Sequence, residues 1–506
     1  MRAAVLQSIV VATCLAGAPC ATAGEREDLE QLRATTVNLI ELLVEQGVLT
    51  REKAQELLRK AQVRSPDAVA PAGPNAPKVV RVPYVPEHVR DEIRESIKQE
   101  VLAQAKTERW GDPGVLPDWI SRIAWEGDVR LRYQGDIFQS GNTPPAFFQI
   151  EGQNIDNTQE DRNRLRVRAR LGVQARVSET VSAGARITTG SISDPISTTS
   201  TLGASGDRFA VRFDRAWLRL EPASWFALTG GRMPSPWLST NLVWNDNLSF
   251  EGVAVRTQYA FDTGSSAFLT LGVAPVEEVQ LSGRDKWLFG AQAGIDWSGA
   301  RSRFRLAAAL YDYRHITGRP NDALAPGLND YTAAPFRQKG NSLFDLNQGV
   351  PGADPLFGLA AKFREANITA RWDLMHLDPV HVMLTGDYVR NIAFDRGEIL
   401  DRTGLDIAPR VNAYHARLAV GMPELRKQHD WQVFAAYKHV ERDAVLDAFT
   451  DSDFHLGGTN AKGYILGGAY GIARNTWVNL RWLSSNQIDG PPLAIDVVQL
   501  DLNVRF

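Results

Sequence analysis

Five arginines at alternating positions carry the clearest chemistry in the chain: Arg162, Arg164, Arg166, Arg168 and Arg170, in the run RNRLRVRARLGV. A β-strand turns successive side chains to opposite faces. The five guanidinium groups therefore share one face, with Leu165, Val167, Ala169 and Leu171 on the other. Other segments repeat the pattern. Arg130 and Arg132 alternate with Val129, Leu131 and Tyr133, and Arg301, Arg303 and Arg305 alternate with Phe304 and Leu306; Arg481 and Arg505 continue it. A charge on a lipid-facing strand costs about 2–4 kcal/mol near the bilayer midplane, so such strands must turn their arginines toward a wet interior. Two readings of that interior stand. Either the guanidinium groups pair with inward Asp128, Asp373, Asp387 and Asp501, or a surplus of positive charge stays solvated, since no acid separates the five arginines on their own strand. On the second reading Arg130, Arg132, Arg164, Arg166, Arg168, Arg170, Arg303 and Arg305 line a pore and draw anions.

The segment MPSPWLSTNLVWNDN is more apolar than a freely solvated connection. Folded inward, it would form a constriction with Trp237 and Trp244 and set Asp246 across from arginines, giving a transverse field. Folded outward, it would pack on neighbouring loops or on a subunit interface. Catalysis has no visible foothold. A hydrolase needs a nucleophile or activated water beside a base, and His376, His381, His415 and His439 show no pairing motif with Ser or Asp; His415 reads as an inward residue beside Arg417. Cys14 and Cys20 both fall in an N-terminal segment expected to be removed, which leaves neither a disulfide nor a thiolate metal site. No catalytic residue, metal or cofactor is expected.

Strands of this kind must be held in a closed sheet. The chain has 506 residues and a formal net charge of −3, which points to no nucleic-acid partner. No apolar run beyond the N-terminal segment reaches the ~20 residues a spanning helix needs, so membrane crossing would use strands in which only alternate residues meet lipid. From about Trp119 the pattern predicts about sixteen strands, the even number of a single-chain bacterial barrel. They begin near Ile123, Arg162, Glu179, Asp207, Trp225, Leu248, Ser266, Asp285, Arg301, Arg364, Pro379, Val411, Asp430, Lys462, Ala473 and Ile495. Long connections at 135–161, 191–206, 233–247, 315–363, 391–410 and 441–460 alternate with tight turns such as 222–224, 298–300 and 377–378. That asymmetry is typical of outer-membrane barrels, and an even count puts both barrel ends on the periplasmic side. The fixed period of a solenoid or propeller is not visible. Trp125, Tyr133, Trp287, Trp297, Trp372, Tyr388, Trp431, Tyr437, Trp477 and Trp482, mostly near strand ends, fit two interfacial girdles.

The two ends of the sequence agree with export. The segment IDVVQLDLNVRF alternates apolar Val498, Leu500, Leu502, Val504 and Phe506 with polar residues, and the terminal Phe506 resembles the assembly signal of outer-membrane barrels. At the N-terminus, Arg2, the apolar stretch Val5 to Ala18 and Ala21-Thr22-Ala23 read as a signal peptide over 1–23. Residues 24–64 read as a periplasmic helical or coiled-coil segment, with Leu29, Leu32, Leu39, Leu42 and Leu43 near helical spacing. A Pro/Ala-rich linker follows over 65–85. Pro86 opens a second periplasmic helix over 86–108, with Val89, Ile93, Ile97 and Val101 spaced by four, and 119–506 forms the barrel.

The segments VPYVPEHVRDEIRESIKQEVLAQAK, LPDWISRIAWEGDVRLRYQ, RNRLRVRARLGVQARV, SAGARITTGSISDPISTTSTLG, FDRAWLRLEP and GRMPSPWLSTNLVWNDNLSFEGVAV resemble the bacterial family named Putative porin. The resemblance covers nearly the whole mature chain, and more broadly the chain is similar to the phosphate-selective porins. It implies an all-β membrane protein, an outer-membrane diffusion channel with a periplasmic helical segment, and it supplies no solute. Phosphate specificity does not carry over, because a lysine-rich ladder is absent. The expected function is passive diffusion of small hydrophilic solutes or ions through an arginine-rich lumen, with a modest anion preference. Expected partners are outer-membrane lipid, the barrel-assembly machinery and sister chains in a homotrimer. The rival expectation is a structural or adhesive protein that acts through its periplasmic helices or long outer loops, with little transport.

Overall fold

The computed structural model describes residues 122–280 and 282–506. The signal peptide, helical segments and linker expected over 1–108 lie outside the described residues.

The strands are β1 (Ile123–Phe138), β2 (Arg162–Arg176), β3 (Val181–Thr189), β4 (Ser200–Thr201), β5 (Val211–Ala223), β6 (Phe226–Pro234), β7 (Ser249–Ala260), β8 (Ser265–Glu277), β9 (Lys286–Gly299), β10 (Ser302–Arg314), β11 (Leu343–Asp345), β12 (Phe357–Leu359), β13 (Arg364–Leu377), β14 (Val380–Asn391), β15 (Asn412–Gly421), β16 (Trp431–Val440), β17 (Ala461–Ala473), β18 (Thr476–Gln487) and β19 (Ala494–Arg505). Sixteen of them pair antiparallel in a ring, with β1 bonded to both β2 and β19. Closure satisfies every strand edge, which a sheet in hydrocarbon requires. β4 is a two-residue addition to β2, and β11 and β12 form a separate small hairpin. Each barrel strand begins within four residues of its predicted start.

Alternation sorts the two faces of the wall. Val129, Leu131, Leu165, Leu269, Ile368, Leu418, Leu480 and Leu502 are exposed on the outside, a contiguous apolar surface that calls for a lipid neighbour. Trp125, Trp297, Trp372 and Trp431 ring it near the short turns, and Tyr133, Tyr388, Tyr414 and Tyr464 ring it nearer the long loops. Trp477 departs from the girdle expectation. It faces inward, with the Arg505 guanidinium 5.3 Å from its ring centroid. At the β1–β19 seam, Gly127 and Phe506 exchange backbone hydrogen bonds of 2.9 and 3.0 Å, and the Phe506 ring lies where any side chain at position 127 would stand.

The buried apolar core is inside the barrel. Short polar turns close one rim, whereas the long loops of the other fold over one another and into the lumen. Leu242 and Trp244 from 235–248, Phe344 and Leu346 from the β11–β12 region, Ile399 and Val445 join the inward wall residues Tyr311, Val389, Ala413 and Val440 in one cluster. Two short helices, not evident in the sequence pattern, lie in these loops: α1 (Pro145–Ile150) and α2 (Arg396–Thr403). α2 starts where the Asp395 side chain accepts from the backbone N–H of Gly397 and Glu398, and it stops at Gly404 in the left-handed region.

Candidate functional site

Residues 235–248 leave the top of β6 and cross the lumen. Trp237 packs edge-on against Tyr311 of β10, with ring centroids 5.3 Å apart, and lies over Gly272 of β8 and Gly290 of β9, where a Cβ would strike the indole. Trp244 meets Tyr311 at 5.0 Å and Phe250 at 4.9 Å, both edge to face. Polar anchors on β9 and β14 complete the docking. The Thr240 backbone N–H and hydroxyl both donate to Asp387 Oδ2 on β14, at 3.1 and 2.6 Å. Leu238 exchanges two hydrogen bonds with the Gln292 side chain on β9, at 2.8 and 2.9 Å. Asp387 is thus an anchor for this loop, not a partner for an arginine.

The segment narrows the lumen and presents Asp246 to it. Lys438, Arg371 and Arg481 bring positive charge to bear on that carboxylate, which is exposed to the lumen, yet desolvation by the surrounding barrel and the neighbouring Asp451 outweigh them and raise its pKa. The arginines opposite Asp246 therefore come from β13 and β18, not from the β1–β2 ladder.

The ladder itself is partly compensated. Arg132, almost fully buried, donates Nε–H to Asp501 on β19 at 2.6 Å and Nη1–H to Asp453 at 3.0 Å. Arg164 pairs with Asp136 at 2.5 Å, while Arg168 and Arg170 share Asp128 at 2.7 and 2.6 Å. Arg305 pairs with Asp296 at 2.5 Å. Arg130 and Arg166 have only neutral acceptors, Thr199 Oγ1 at 2.8 Å and Gln134 Oε1 at 3.0 Å. Arg303, Arg371 and Arg417 likewise form no ion pair among the described residues, and Arg417 stacks over Phe434 at 4.4 Å. Three acids in this set are absent from the inward acids read from the sequence. Asp136 shares the inward face of β1 with Arg130 and Arg132, and Asp296 stands on β9 directly opposite Arg305, so alternation alone could have found both. Asp453 arrives on a loop 321 residues from Arg132, and no local signal marks it. Asp373 bonds to His381 Nδ1 at 2.8 Å across β13 and β14, a His–Asp pair that no local sequence motif marks, and no hydroxyl among the described residues is bonded to it.

Two cavities remain beside the loops. One of about 390 Å³, toward the long-loop rim, is lined by Arg130, Arg132, Arg164, Arg166, Lys339 and Asp453. The other, about 1160 Å³, reaches the short turns at Asp262 and Leu425 and is lined by Asp246, Arg303, Arg305, Arg371, Arg417 and Arg481. Each candidate pore arginine on β1 and on β10 lines one of them; on β2, Arg164 and Arg166 line the smaller.

The loop core over the first cavity holds titratable groups. Asp443 accepts from the Ser342 N–H at 2.9 Å and hydroxyl at 2.6 Å. Burial pushes Asp443 up to about 6 and, against Arg337, Asp447 up to about 7, and it pulls Lys339 down to about 7. The carboxyl contributions to the loop core are complete below the ordinary carboxylate range and are lost as pH rises through 6 and 7. The Lys339 contribution has the opposite sign and is lost as pH falls through 7. Buried His455 in the same loop, its pKa held well below the ordinary imidazole value by burial and by Lys339, acts in the same sense as Lys339, so the carboxyl losses are opposed by two basic groups and each is isolated by substitution. Asp447→Asn, which removes the cost of ionising a buried carboxyl, is expected to slow hydrogen exchange over 441–460 at pH 8 and to change it little at pH 5. Equal exchange with and without the substitution at pH 8 would contradict this account.

Comparison with known families matches residues 33–506 to the family described as Putative porin. The chain belongs to that family. The family and the barrel support a channel of the bacterial outer membrane. Among solved structures, this porin is similar to the outer-membrane channel DcaP of Acinetobacter baumannii, with 11% identity, TM-score 0.41, and 76% of this chain and 97% of that one covered. It is also similar to Pseudomonas putida OprB at high pH, with 11% identity, TM-score 0.46, and coverage of 76% and 95%. A third is the anion-selective porin from Comamonas acidovorans, with 11% identity, TM-score 0.41, and coverage of 76% and 99%. No curated protein matches the chain. Similarity at this level does not extend to the solute.

Proposed function

We propose that this porin lets small hydrophilic solutes diffuse across the outer membrane with a modest preference for anions. The observation that carries the reading is a set of lumen guanidinium groups without ion pairs: Arg130, Arg166, Arg303, Arg371 and Arg417 face the two cavities without an ion-pair partner among the described residues. Cations outnumber acids along the smaller cavity, whereas Asp246, Asp262, Asp296, Asp373 and Asp451 balance the five arginines of the larger one. Paired arginines contribute a second tier, since Arg132, Arg164, Arg168, Arg170 and Arg305 hold their charge while sharing it with acids. Asp246 opposes them locally. In this reading the short-turn rim faces the periplasm, residues 24–108 extend there after removal of 1–23, and the apolar belt meets lipid. Phe506 serves as the assembly signal, and three chains associate, each with its own pore.

Reversal potentials across a planar bilayer under a KCl gradient test the selectivity. Chloride is expected to be favoured severalfold in dilute salt and less at 1 M, where screening shortens to about 3 Å. Cation preference in dilute salt would overturn the reading. The extent of loop packing inside the barrel favours a second reading, a structural or adhesive barrel with little transport. Absence of conductance steps from correctly assembled protein would select it.

A further inference from the structure

The lumen already holds a carboxylate in a binding geometry. Asp453, on the loop 441–460, presents Oδ1 to Arg132 Nη1 at 3.0 Å and Oδ2 to Arg481 Nη2 at 2.7 Å, one oxygen for each of two strands that flank β19. The arginines draw its pKa well below the carboxylate range even though burial would raise it, with Arg132 and Arg481 the strongest and Arg130 and Arg166 behind them. The last two have no carboxylate of their own.

Cross-strand register explains the arrangement. Arg130 stands opposite Arg168 and Arg132 opposite Arg166, so four guanidinium groups form a block on adjoining strands. Acids serve one diagonal, Arg132 and Arg168, and leave the other, Arg130 and Arg166, with neutral acceptors only. The Nε–H groups of Arg130, Arg164 and Arg166 are buried and find no acceptor among the described residues. Buried donors are normally satisfied, and guanidinium Nε–H with Nη–H is the edge that takes a carboxylate in bidentate fashion. The Arg130, Arg164 and Arg166 side chains line the cavity of about 390 Å³ together with Asp136, Asp156 and Asp194, a volume within the size range of small-molecule sites; with the Nε–H groups shielded, a solute there meets the Nη–H groups first.

We propose that this cavity is a binding subsite for small carboxylate solutes, held by Arg130 and Arg166, with Asp453 as a tethered carboxylate that competes for the same cationic field. The inference rests on the diffusion-channel reading above and names a solute class for it. Asp453 sits on a fixed turn: Phe454 and His455 are buried, and the Lys339 ammonium donates to the His455 carbonyl. The tether therefore does not swing away. It lowers the affinity of the subsite by sharing Arg132 and Arg481, so that a solute is attracted and still released.

The test uses the full-length porin in planar bilayers in dilute KCl, with succinate as the probe and inorganic phosphate as the comparator. Succinate is expected to reduce chloride current saturably. Asp453→Asn should tighten that block about tenfold, the equivalent of one ion-pair-sized change in binding. Arg166→Gln should weaken it about as much. If Asp453→Asn fails to assemble, Arg166→Gln decides alone, because that residue carries no ion pair whose loss would strand an acid. Chloride preference without saturable succinate block overturns the subsite and leaves the channel reading intact. Block by phosphate at lower concentration than by succinate overturns the carboxylate assignment. Absence of conductance steps from the unmodified, correctly assembled porin is the separate failure of the channel reading.

Discussion

Trp244→Ala is expected to convert steady single-channel steps into noisy, larger ones. The side chain is almost fully buried and packed between Tyr311, Phe250 and Phe449. Truncating such a residue costs about 3–5 kcal/mol. The barrel wall has its own ladder of hydrogen bonds and survives that loss, whereas the crossing segment 235–248 is held by this cluster and by a few polar anchors. Thr240–Asp387 and Leu238–Gln292 lie on the near side of Trp244 in sequence. They should keep the first half of the segment docked while the second half, with Asp246, loosens. Conductance should rise and the local opposition from Asp246 should fade. Steps of unchanged size and quietness would show that the segment is held mainly by its polar contacts.

Replacing Arg164, Arg166 and Arg168 together by Gln is expected to reverse the selectivity rather than merely reduce it. The substitution removes three positive charges and also releases Asp136, which loses its only ion-pair partner among the described residues, while Asp128 retains Arg170. Unit charges ~4 Å apart interact by ~1 kcal/mol in water and by more where water is sparse. Several such changes in one narrow region should shift the chloride-to-potassium permeability ratio by on the order of tenfold. The measurement is the reversal potential at low ionic strength, with heat-modifiable mobility as the check on assembly. A ratio that does not move would place these side chains away from the ion path.

The barrel was legible in the sequence because its two requirements are local. Alternation sets the faces, and the contrast between short turns and long connections sets the rims. Pairing inside the lumen was not local. Asp128 and Asp501 were recognised as inward acids, but Asp387 serves Thr240, Asp373 serves His381, and the acid that reaches Arg132 from a loop is Asp453. Which acid meets which arginine depends on how loops fold over the mouth, and alternation carries no information about that. The inward course of 235–248 was hinted at by its apolar content. Its docking place was readable only in retrospect, in Gly272 and Gly290, whose missing side chains leave room for Trp237. Their spacing in sequence resembles that of many unrelated strand glycines.

The seam between β1 and β19 sets a constraint on how the ring can be completed. Arg132 and Asp501, joined at 2.6 Å across it, are 369 residues apart, so this pairing closes the longest loop in the wall and carries the largest closure entropy of the strand pairings. A slip of one residue along β1 would turn Arg132 toward hydrocarbon and Leu131 into water, at about 2–4 kcal/mol for the charge alone. Only the in-register seam lets Arg132 reach Asp501 while Leu131 meets lipid.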